Sequence, residues 1–163
     1  MQLSKMLSWS ARAEAVKPVI KHLEEILQDL SVDNQETSET RSDAMQLYNS
    51  ILTFNFLTLL GFWNSILTTI DRVQKRLQDP TMNFHDAAND IQGLRMHFEE
   101  SREGLVDRSL EEGKALCQEW SVEVQRRIRR RKRMPDERAE DAGLTAEEEI
   151  RRTMTGSVDR ILR

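Results

Sequence analysis

The chain has 163 residues and a formal net charge of −4, enough for one domain with one sizeable core and no overall basicity that advertises nucleic-acid binding. Charged residues make up 32%, there are only six Gly and three Pro, and Cys117 is the single cysteine, which excludes an internal disulfide and fits a reducing compartment. The N-terminus shows no basic stretch followed by an apolar run, so no signal peptide is read there.

Apolar residues recur at helical spacing throughout and nowhere alternate with period two, so the expected fold is all-α, a bundle of about five to six helices. The first helix is expected over 10–30. Ser10 is its N-cap, and Ala11, Ala15, Val19 or Ile20, Leu23, Ile26 and Leu27 form its stripe. Pro18 lies inside it and should kink it or delay its start. Residues 31–38 are polar and read as a loop, followed by a second helix over 39–53.

The third helix, 55–77, is expected at the centre of the core. Phe56, Leu59, Trp63, Ile66, Ile70, Val73 and Leu77 are spaced 3, 4, 3, 4, 3, 4, the seam of a helix packed along its length, and Leu60, Phe62 and Leu67 widen the stripe. Residues 44–70 carry no charge, yet ten of these 27 positions are polar, from Gln46 to Thr69. That content suits a buried helix better than a membrane span, which needs about 20 mainly apolar residues.

Asp79-Pro80 breaks the chain, and Asn83 caps a fourth helix that should turn Phe84, Ala87, Ile91, Leu94 and Phe98 inward. A fifth carries Val106, Leu110, Gly113, Cys117, Trp120 and Val124, and small Gly113 and Cys117 invite close approach by another helix. The expected layout is a bundle over 1–134, an acidic linker over 135–144 and a C-terminal helix over 145–163. Thr145-Ala-Glu-Glu148 is a capping-box signature that starts this last helix, with Ile150, Met154, Val158 and Ile161 as its stripe. No terminator precedes Arg163, as expected of a piece of a longer helix or of one completed by a partner.

No catalytic or metal-binding constellation is read. C-x-x-C, H-x-x-x-H, a phosphate loop, G-x-S-x-G and H-E-x-x-H are absent. Asp86, Asp90 and His97 share one side of the fourth helix but read as a solvated flank, and Cys117 falls on an apolar stripe as a small core residue. No cofactor is expected. Trp9, Trp63 and Trp120 are read as core anchors rather than base-stacking platforms.

The sharpest feature is Arg126, Arg127, Arg129, Arg130, Arg131, Lys132 and Arg133, seven cations in eight residues. Three readings stay open: a nuclear-import signal, a phosphate-contacting patch, or a solvated helix end. Seven acids follow (Asp136, Glu137, Glu140, Asp141, Glu147, Glu148 and Glu149) and should compete with DNA phosphates more than with a fitted receptor groove. The partners expected are an import receptor, weak contact with DNA and a homo- or hetero-oligomer, with no membrane. The location expected is nuclear, otherwise cytoplasmic.

The segment Leu7-Ser-Trp-Ser-Ala-Arg-Ala-Glu-Ala15 resembles the Thr-Arg-Trp-Ser-Ala-Arg stretch of hAT-like transposase-derived proteins, including zinc finger MYM-type and TTF-type zinc-finger relatives. Glu39-Thr-Arg41 and Phe56-Leu-x-x-Leu-x-Phe-Trp-Asn-x-Ile-Leu67 are similar to the same region, as is the basic run followed by an acidic linker and a final helix. Trp9 maps onto the family motif, and Ser8 stands where the family has Arg. The resemblance implies the helical insertion that interrupts an RNase H-like α/β core. The three acids that bind metal and cut DNA lie outside such an insertion, so no catalytic residue carries over and a non-enzymatic role is implied. An unrelated helical-bundle adaptor that binds a partner helix is the competing reading.

Overall fold

In a computed structural model the described residues are 3–32, 37–125 and 144–163, and they form six helices with no strand. These are α1 (Leu3–Lys21), α2 (Leu23–Val32), α3 (Ser38–Ile51), α4 (Phe54–Leu77), α5 (Phe84–Glu119) and α6 (Ala146–Leu162). Thr37, Thr53, Asn83 and Thr145 cap α3, α4, α5 and α6, each side chain accepting an N–H three residues on, as short polar side chains do for orphan donors. Thr145 and Glu148 complete the expected capping box: the Thr145 N–H donates to Glu148 Oε2 at 2.7 Å, and the Glu148 N–H donates to Thr145 Oγ1 at 3.2 Å.

The first expected helix is two. It begins at Leu3, so Ser10 is interior rather than a cap, and it passes through Pro18 before dividing at His22. The Pro18 carbonyl still accepts the His22 N–H at 2.9 Å, so the proline removes a donor without ending the helix. Residues 31 and 32 extend α2 into the expected loop. The expected fourth and fifth helices are one continuous element of 36 residues, α5.

The helices pack around α4. Trp9 meets Trp63 and Lys17 meets Asp71, both at an offset of 54, so α1 runs parallel to α4. Gly113 lies against Thr58, and Arg76 pairs with Asp90, so α5 returns antiparallel. α6 lies antiparallel along α5 through three ion pairs in register: Lys114–Glu147 (2.9 Å), Asp107–Arg151 and Arg102–Asp159 (2.9 Å). Ile150, Met154 and Val158 of α6 sit in the same buried cluster as Val106 and Leu110 of α5 and Phe62 and Ile66 of α4. The last helix is therefore an integral wall of the bundle, not an appended segment.

The buried face of α4 differs from the expected seam. Phe54, Thr58, Phe62, Ile66, Ile70 and Gln74 are buried, with Leu57, Leu67 and Asp71 beside them. Their step is four residues rather than 3.5: the seam shares only Ile66 and Ile70 with them, while of the residues expected to widen it Phe62 and Leu67 are buried and Leu60 is half-buried. Rows of i±4 residues are inclined about 26° to the helix axis, so the buried strip slants across α4 instead of running straight along it as a coiled-coil seam does. Trp63 is consequently half-buried, stacked on Trp9 with centroids 6.3 Å apart and edge-on to Phe62 at 5.5 Å. Trp9 and Trp120 are half-buried as well, so the three tryptophans pad the core from outside instead of anchoring it.

No single described helix is long and apolar enough to cross a membrane. α3 and α4 together meet that length and composition, but they are bent by 67° at their junction.

Candidate interaction surface

Arg126, Arg127, Arg129, Arg130, Arg131, Lys132 and Arg133 lie outside the described residues, as does most of the acidic linker. The structure does define where their connection leaves and returns. α5 ends in a Schellman motif: the Val122 N–H donates to the Cys117 carbonyl at 2.7 Å and the Ser121 N–H to Gln118 at 3.3 Å. Ser121 takes φ of 54° in the left-handed region usually given to glycine. Because Glu147 pairs with Lys114, α6 begins beside the last turns of α5. Residues 126–143 thus join two points at one end of the bundle, where the N-termini of α4 and α6 also lie. Helix N-termini carry partial positive charge, the same sign as the basic run.

The acids expected to oppose that run are in part already committed. Glu147 is tied to Lys114, and Glu148 closes the capping box, where the Thr145 N–H holds its carboxyl below the ordinary carboxylate range. Elsewhere acids tie helices together. Asp71, buried on α4, accepts from Lys17 Nζ of α1 at 3.1 Å and from Lys75 Nζ at 2.9 Å, and that hydrogen bond raises the Lys75 ammonium above its ordinary range. Sequence reasoning missed Asp71. Its signal was the first charge after a long uncharged stretch and the only acid among the cations Arg72, Lys75 and Arg76, four residues past Leu67.

The side of α5 with Asp86, Asp90 and His97 does not gather them. Asp90 pairs with Arg76 at 3.1 Å and Asp86 accepts from Asn83 Nδ2 at 2.8 Å, while His97 lies against Phe98. A polar cavity of about 410 Å³ opens beside them at the α4–α5 turn, with Asp79, Asp86 and Asp90 on its wall. Among the described residues no three His, Cys, Asp or Glu come close enough to hold a metal ion. Cys117 is buried and burial pushes its thiol up, away from the thiolate a nucleophile needs.

An uncovered apolar face appears on α5 instead. Phe84, Ala88, Ile91, Arg95, Phe98 and Arg102 fall on one row, spaced 4, 3, 4, 3, 4. Among its apolar side chains exposure climbs towards the N-terminus, from 1% at Phe98 to 43% at Ile91 and 96% at Phe84. Phe84 and Ile91 were expected to face inward. Of the residues expected inward, Phe98 is buried and Ala87 and Leu94 are half-buried on the flank where Arg76 of α4 reaches Asp90, while Phe84 and Ile91 are left open.

Comparison of the chain with family models, curated proteins and solved structures finds no match in any of the three.

Proposed function

We propose that the chain is a non-catalytic helical interaction module of the transposon-derived, hAT-like kind that its sequence resembles, working in the nucleus as a protein-binding or DNA-associated element. The observation that carries the interaction role is the open apolar end of α5, since exposed apolar patches on a folded domain mark contact surfaces. The use of Asp71, Asp90, Asp107, Glu147 and Asp159 as ties between helices supports a structural rather than a metal-gathering role for the acids. Nuclear delivery rests on the basic run. Replacing Arg129, Arg130, Arg131, Lys132 and Arg133 with Ala, in a fusion too large to diffuse through nuclear pores, should abolish nuclear accumulation. Equal entry of the variant would refute import through this run. Binding to duplex DNA should be weak and should fall steeply between low and physiological salt, because each neutralised phosphate releases counterions.

A second reading, a helical adaptor without transposon ancestry that binds a partner helix, is favoured by the same row on α5.

A further inference from the structure

We draw no further inference here: the strongest candidate, the polar cavity at the α4–α5 turn walled by Asp79, Asp86 and Asp90, holds no group that points to a ligand, since its carboxylates are tied to Thr81, Asn83 and Arg76 and the orphaned oxygen, Asp90 Oδ2, is buried out of a ligand's reach.

Discussion

Gly113 is the residue on which the α4–α5 contact turns. A methyl at this position would overlap Thr58 Oγ1 and stand 2.8 Å from the Thr58 Cβ and 2.9 Å from its Cα, so backbone as well as side chain would have to yield. Gly113→Ala is expected to lose about 1–3 kcal/mol through overpacking, which outweighs the roughly 1 kcal/mol that Ala ordinarily gains over Gly in a helix interior and leaves a net loss. Thr58→Ala should restore part of the loss, because it removes the hydroxyl but not the Cβ, and urea unfolding of both singles and the double would show this coupling. Additive losses would mean that the helices do not touch there. Ser121 is the opposite case. Its left-handed backbone disfavours any side chain, so Ser121→Gly should stabilise the chain by about 0.5–1 kcal/mol, read as a higher denaturation midpoint with unchanged slope.

At the scale of elements, α4 decides the core, and its two aromatic neighbours should behave differently. Phe62 is fully buried, so Phe62→Ala should cost about 3–5 kcal/mol. Trp63→Ala should cost less, because Trp63 is half-buried and stacks outside the core on Trp9. Equal or reversed costs in chemical denaturation would restore the 3.5-residue seam. The helical class was legible because every stripe has helical period, and the start of α6 was legible because a capping box is local chemistry. The face of α4 was not. Residues 44–70 carry no charge, so only uncharged polar side chains mark the outer side, one of them, Thr58, is itself buried, and apolar residues satisfy both a 3.5- and a 4-residue step. The continuity of α5 was hidden for a related reason: the polar stretch between Phe98 and Val106 looks like a break but supplies Arg102 to α6. The open row on α5 was half legible. Spacing gave the face, while only the packing of α6 shows where its cover stops.

Across the whole molecule α6 closes the core, and its attachment should depend on pH. The Glu148 carboxyl is held below its ordinary range by the Thr145 N–H, so its contribution is full above that range and is lost as pH falls through the lowered folded value. Amide exchange should therefore show the first turn of α6 loosening in acid before α5 does, with Glu148→Gln flattening the difference. Loosening of both helices together, or the same profile in Glu148→Gln, would assign the acid sensitivity to other groups.

The shared end of α5 and α6 has a further consequence. The connection over 126–143 joins the end of α5 to the start of α6, and those two described ends lie side by side. Covalent joining of the two helices keeps α6 at an effective concentration on the order of millimolar beside its place on the bundle. Cut there, the chain becomes a receptor and a helical ligand whose complementation depends on protein concentration, and α6 becomes exchangeable for any helix that competes for the same wall.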